Sequence, residues 1–424
     1  LIERCNLTPH RAFIIVSLAL AATVGTTLGL WMVLGWLGVV VIPDFPTLLA
    51  THAQLQVYGF VALYTMGVAM MVLPTFLNTK LQPAWLALCS LALMLVGIGL
   101  NRTGPTLVGG ILQSLSTLAF LIVLRVTRKS APPRKVESTP LTRGHALFLA
   151  TGSLWLMASP LLALKDATAA LETVVWGFAG LFIAGIGLRV HTGILGIKGV
   201  HANLLAPSAV LWNLGLALRW TGPDKVWVVI LTTGVGLFLW ALRPFRKAQI
   251  PPAGGPWLRP FVRTSYLWLL VASALACATA FGYPALAGPT RHTLAVGFVI
   301  TMMMGMGMRM IPAFETKRLP WSNGPWLIYV LVTLGTAARL PAQATMNLKW
   351  LALAGGLQFL SIMSFIGLIL ATYLIGETVR CEVDAVPPAQ LFKDENAKGA
   401  SHRANITAGT RIRPTARITE RLSS

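Results

Sequence analysis

Three stretches of this chain repeat one pattern, written in residues that govern how closely helices approach each other. Gly59-Phe60, Gly177-Phe178 and Gly297-Phe298 each open a segment with a second glycine eight residues on, at Gly67, Gly185 and Gly305. Each segment runs into a further apolar stretch that closes on a proline just past an arginine: Arg102 with Pro105, Arg219 with Pro223, Arg339 with Pro341. These prolines recur at a 118-residue interval. A period that regular implies a triplicated unit. The apolar runs 12–42 and 56–77 each exceed the ~20 residues that cross a bilayer. Only 11% of the residues are charged, against about 25% in a soluble domain. The chain therefore reads as an all-α polytopic membrane protein.

The pattern predicts twelve transmembrane helices, four per unit. The first unit (1–130) holds spans at 12–42, 47–77, 83–101 and 105–127. The second (131–245) holds 144–164, 171–197, 203–219 and 224–243. The third (246–380) holds 262–283, 289–314, 324–340 and 346–377. The remainder, 381–424, is polar and basic without apolar periodicity, and is expected to be disordered or held by a partner. The first run is too long for a signal-peptide core and reads as the first span.

A net charge of +21 raises nucleic acid as a partner, and its distribution removes it. The basic residues sit between spans, as Arg125, Arg128, Lys129, Arg134, Lys135 and Arg143, then Arg243, Arg246, Lys247, Arg259 and Arg263, and in the tail. With twelve spans both loops and the tail share one face. The positive-inside rule makes that face cytoplasmic, with both termini, in a bacterial-type inner membrane. The four cysteines, Cys5, Cys89, Cys277 and Cys381, form no metal spacing and no disulfide framework.

Against the repeat, the histidines stand out. His52 lies seven residues before the first Gly-Phe and His292 five before the third. Each falls in the first turns of its helix from the outer surface, one on the second span and one on the tenth. Ionisable groups inside a membrane are costly and point to function by default. Two imidazoles at matched depth suit the two axial positions of a haem iron. Arg102, Arg219, Arg291 and Arg339 fall at the same level, and arginine forks suit haem propionates. The plainer alternatives are interhelical hydrogen bonds for the histidines and snorkelling to headgroups for the arginines. His191 and His201 could form a second metal site at the inner face, but no third ligand is visible near them. His10, His145 and His402 read as solvated. The run Met302-Met303-Met304 with Met306 and Met308 reads as pliable packing. Pro74 and Pro312 are expected to kink the second and tenth spans.

Twelve helices with histidines at the outer ends of the second and tenth resemble subunit I of the haem–copper oxidases. The stretches His-Ala-Gln…Gly-Phe-Val-Ala at 52–62 and His-Thr-Leu-Ala-Val-Gly-Phe…Gly-Met-Arg-Met-Ile-Pro-Ala-Phe at 292–314 resemble the NnrS family. Those are haem- and copper-containing membrane proteins associated with nitric oxide metabolism. The family usually shows His-x-His before the first Gly-Phe; here the second position is Gln54. The oxidase copper signature, a His-Pro-Glu-Val-Tyr stretch with a His-His pair, is absent, which leaves copper without its usual ligands. No row of buried carboxylates or lysines marks a proton channel.

The expected function is a haem-b membrane protein held by His52 and His292, serving electron transfer within a respiratory or nitrogen-oxide-related redox complex. Its expected partners are the lipid bilayer, other redox subunits such as a cytochrome c, and a quinone. The resemblance to NnrS implies the alternative of nitric oxide bound at an open haem position. A transporter or membrane anchor is a third reading, although transporter repeats are usually paired rather than triplicated.

Overall fold

A computed structural model describes residues 8–104, 106–133 and 139–377. Pro105, His402 and the tail fall outside the described residues. Eleven helices there are long and apolar enough to cross a membrane. They are α1 (Pro9–Trp36), α2 (Phe45–Leu77), α3 (Ala84–Arg102), α4 (Thr106–Lys129), α5 (Pro140–Leu162) and α6 (Ala167–Leu195), then α8 (Lys225–Leu242), α9 (Leu258–Ala280), α10 (Pro284–Phe314), α11 (Gly324–Ala344) and α12 (Leu348–Ile375). The helix α7 (Ala202–Leu218) is shorter. Its 17 residues reach ~25 Å, less than the ~30 Å of a hydrocarbon core. It completes the expected order of twelve at the short limit of a spanning helix. The protein is a multi-pass, all-helical membrane protein, and the described part of 1–379 packs as one compact unit.

The repeated glycines explain how each unit is assembled. Gly67, Gly185 and Gly305 lie where the unit's second helix meets its first. A methyl group there would stand 2.9 Å from Phe13 Cβ, 3.2 Å from Phe148 Cβ and 2.6 Å from Phe261 Cβ, respectively. Two turns away, Gly59, Gly177 and Gly297 face Leu20, Trp155 and Trp268, each seven residues on from its phenylalanine. Two contact points seven residues apart on one helix and eight on the other fix an antiparallel pair with backbones in close approach. A third glycine row, Gly97, Gly215 and Gly335, seats the third helix of each unit against Gln113, Leu231 and Gln358 of the fourth. The sequence carries this row at nearly the same period, in front of each of the three arginines.

The Gly-Phe pairs have a further consequence. Each lies within a π-helical stretch: Leu55–Ala62 in α2, Val174–Gly180 in α6 and Thr293–Ile300 in α10. A fourth such stretch, Ala21–Gly25, interrupts α1. π segments widen a helix and accompany functional sites more often than chance. Phe60, Phe178 and Phe298 are fully buried, and the stretch Val174–Gly180 packs against both of the others. Three of the four π stretches thus coincide with the Gly-Phe pairs. Pro74 and Pro312 lie inside α2 and α10, close to their ends.

Candidate functional site

Asp44 caps α2 by accepting from the Thr47 backbone N–H at 3.2 Å. Two turns later comes His52. Its Nδ1 lies 2.7 Å from the carbonyl oxygen of Gly25, in the π stretch of α1. On α10, His292 Nδ1 lies 3.1 Å from the carbonyl oxygen of Gly288. A carbonyl oxygen can only accept, so both imidazoles carry their proton on Nδ1 and present a bare Nε2. That is the tautomer of a metal-ligating histidine whose far nitrogen is tethered by the backbone. Gly29 on α1 leaves space for the His52 ring: a Cβ there would stand 2.7 Å from Cε1.

Arg339 lies within electrostatic range of both imidazoles, and the two imidazoles lie within range of each other. Arg339 Nη1 donates to Gln358 Oε1 at 3.2 Å. Its Nε is buried with no hydrogen-bond partner, and no carboxylate pairs with it among the described residues. Two more buried orphans stand beside the histidines' tethers. Gln56 packs against Gly25 and Gln343 against Gly288, and both leave Oε1 unsatisfied. Buried polar atoms without partners are rare and call for an explanation. The two amide oxygens can only accept, so they call for a donor. Arg339, a buried cation with an unsatisfied Nε, together with two bare imidazole nitrogens fits a guest that is anionic at its edge and takes nitrogen ligands at its centre. A haem has both properties.

The other arginines divide. Arg219 and Arg291 both pair with Glu172 on α6, the Arg291 Nε–Glu172 Oε1 distance being 2.7 Å. Arg219 also lies over the Trp227 ring, 4.5 Å from its centroid. These two cations therefore share one carboxylate, which each already has as a partner. Arg102 is exposed and reaches Thr51 Oγ1, beside His52, at 3.4 Å. Glu172 was invisible to the reading from histidines, yet the repeat marks it. It lies five residues before Gly177, as His292 lies five before Gly297.

Away from this end, His191 and His201 have separate environments. His191 is buried and shares a 2.7 Å hydrogen bond with Tyr266 on α9, in an aromatic cluster with Phe238 and Phe298. His201 lies in the surface turn that opens α7 and uses its backbone N–H to reach Ala241 O at 3.0 Å. No three histidine, cysteine, aspartate or glutamate side chains converge as metal ligands among the described residues. His10 and His145 are not simply solvated. His145 Nδ1 donates to Gly185 O at 2.7 Å, because the second glycine of the unit brings that carbonyl within reach of α5. His10 Nε2 lies 3.1 Å from Thr8 Oγ1 and 3.6 Å from Glu315 Oε1. Arg11 completes this cluster, its Nε donating to Glu315 Oε1 at 3.0 Å, and so ties the start of α1 to the end of α10.

Comparison with known proteins places the fold. Forty-one chains of solved structures match it. One is a heme-copper terminal oxidase, seen as a dimer by cryo-EM, with a TM-score of 0.63 and 13% sequence identity, over 88% of this chain and 85% of the other. No protein-family model matches the sequence, and no curated protein does. The arrangement of helices is similar to that of the oxidase, and at this identity the likeness is one of fold.

Proposed function

We propose that this chain is a haem-b-binding membrane protein that serves electron transfer in a respiratory or nitrogen-oxide-related redox complex. His52 and His292 would hold the iron, and Arg339 would meet a propionate. The observation that carries this reading is the pair of tethered imidazoles with bare Nε2 atoms, sharing the field of a buried arginine that has no carboxylate. The heme-copper oxidase fold supports it, since the histidines lie on the second and tenth helices. When bound, a haem supplies one-electron transfer at a potential set by its ligands and by nearby charge. The protein's own part is positional. The carbonyls of Gly25 and Gly288 hold the imidazole tautomers and ring orientations. Arg339 holds a positive charge where water is scarce, and Glu172 removes Arg219 and Arg291 from competition for the same anion. Arg102 is left as a second, exposed cation at this end. The basic loops would face the cytoplasm, and the histidine end would face a cytochrome c or another redox subunit, with a quinone as the membrane-side partner.

One observation favours a second reading. The His52 ring lies against α1, with Nε2 3.5 Å from where a Cβ on Gly29 would stand. If His292 alone met the iron, one axial position would stay open to nitric oxide, in keeping with the resemblance to the NnrS family.

The test is haem stoichiometry after expression with ample haem precursor. His292→Ala is expected to lose nearly all bound haem. His52→Ala is expected to lose it under the first reading and to keep it under the second. His402→Ala serves as the control and keeps the wild-type content. Wild-type haem content in His292→Ala would refute both readings.

A further inference from the structure

At the opposite, basic end of the molecule, a lateral hollow of about 530 Å³ opens between α8 and α9. It has two parts. Its apolar wall is Gly236, Leu239 and Trp240 of α8 with Leu270 of α9. Trp240 and Leu270 are 70% and 48% exposed on helices that cross the membrane, so this wall faces lipid. Its polar rim is His201, Arg243 and Arg246. A second hollow of about 500 Å³ shares Trp240 and His201 and continues along the turn 200–204.

The rim is held in place by the backbone. Arg243 adopts a left-handed conformation (φ 54°) that ends α8. Its Nη2 donates to Gly199 O at 2.6 Å, while its Nε is buried without a partner. Arg263 Nη2 donates to Arg246 O at 2.6 Å, which fixes the turn that carries Arg246, and Arg263 Nε is likewise an orphan. None of these three arginines forms an ion pair among the described residues. The contrast with Arg11, Arg219 and Arg291, each matched by a carboxylate, is direct. Among the described residues, the charge of this rim has no carboxylate to answer it.

We propose that this hollow binds one anionic phospholipid, with its phosphate at Arg243, Arg246 and His201 and an acyl chain along Gly236, Leu239, Trp240 and Leu270. Three features select a lipid over a soluble anion. The apolar wall is continuous with the lipid-facing surface. Trp240 stands at the depth of the headgroups, where tryptophan is enriched. Gly236 leaves a strip of helix surface with nothing within 4 Å of where a Cβ would stand, room for an acyl chain. Basic pockets between transmembrane helices on the positive side bind anionic headgroups on the same principle.

The test uses the full chain purified in a mild detergent and offered equal phosphatidylglycerol and phosphatidylcholine, with bound lipid counted by native mass spectrometry. Phosphatidylglycerol should be retained at least about tenfold over phosphatidylcholine, since two or three basic groups act on a headgroup of net negative charge, whereas the trimethylammonium group of phosphatidylcholine cancels its phosphate and is repelled by the rim. Arg246→Gln, at an exposed side chain, should cut that preference severalfold. Gly236→Phe should displace the lipid with the charge unchanged, because it fills the strip beside Trp240. Both variants should keep the melting temperature of the wild type measured without added lipid. Equal retention of the two lipids, or a Gly236→Phe chain that retains phosphatidylglycerol, would overturn the proposal. So would displacement of the lipid by millimolar inorganic phosphate, which would show that the rim reads phosphate without needing the chain.

Discussion

The second and third units are built on one plan and handle charge in opposite ways. In both, a π-helical Gly-Phe stretch follows a polar residue five positions earlier, and an arginine closes the neighbouring helix. In the second unit the polar residue is Glu172, and it pairs with Arg219 of its own unit and Arg291 of the next. In the third it is His292, whose Nδ1 turns to a backbone carbonyl and leaves Arg339 without an anion. The second unit thus supplies the carboxylate at this end. The third supplies none, and its imidazole presents a free nitrogen. One exchange of side chain at one repeat position thus separates a paired structural corner from the corner where the haem is proposed. The first unit stands with the third, since His52 also turns its Nδ1 to a backbone carbonyl.

Making the third unit resemble the second should have the largest effect. His292→Glu would give Arg339 a carboxylate and remove a ligand nitrogen, so bound haem should fall to background while the chain stays folded. Haem content and size-exclusion profile together check this. Next in size is the reverse operation on the second unit. Glu172→Gln strands two partly buried arginines, and a loss of about 1–3 kcal/mol is expected, below the full cost of breaking a buried pair because Arg291 is half exposed. Thermal melting in detergent reads it, and an unchanged midpoint would mean that the corner contributes no stability. A smaller effect of opposite sign should follow Arg339→Gln. It removes an uncompensated cation, so the haem-free protein should melt at the same temperature or higher, while its affinity for haem falls. A haem-free Arg339→Gln protein that melts well below the wild type would show that Arg339 is structural, as Arg219 is.

The smallest expected effect lies at the other end of α10. Burial works to raise the Glu315 carboxyl, but the neighbouring His10 and the hydrogen bonds and charge of Arg11 outweigh it and hold it at about 2, below the ordinary 4.5. A carboxylate depressed in the folded state adds stability above its ordinary value and loses it as pH falls through the folded one. The melting temperature should therefore decline between about pH 4.5 and 2, and Glu315→Gln should flatten that decline.

Much of the architecture was legible in the sequence because a bilayer admits few solutions. Apolar runs of spanning length have to be helices, and a regular period has to superpose. The two histidines were legible because imidazole is rare at that depth. Glu172 was not, since a lone carboxylate near a helix end looks like surface until its arginines are placed around it. The partners of the imidazoles were hidden for a different reason. Gly25 acts through a carbonyl that the π stretch of α1 turns toward α2, and backbone geometry of that kind leaves no mark in side-chain pattern. His145 was misread for the same reason, its partner being the Gly185 carbonyl. The shortness of α7 was partly visible, as 203–219 was already among the shortest expected spans.

The central claim is that two tethered imidazoles and an unpaired arginine hold a haem at the end of the molecule opposite the basic loops. The most direct test is the absorption spectrum of the purified wild-type chain, oxidised, reduced, and reduced under carbon monoxide. A Soret band with sharp reduced haem-b bands that carbon monoxide leaves unmoved is the predicted result for ligation by both histidines. A purified, folded chain that shows no Soret band after expression with ample haem precursor would contradict the account.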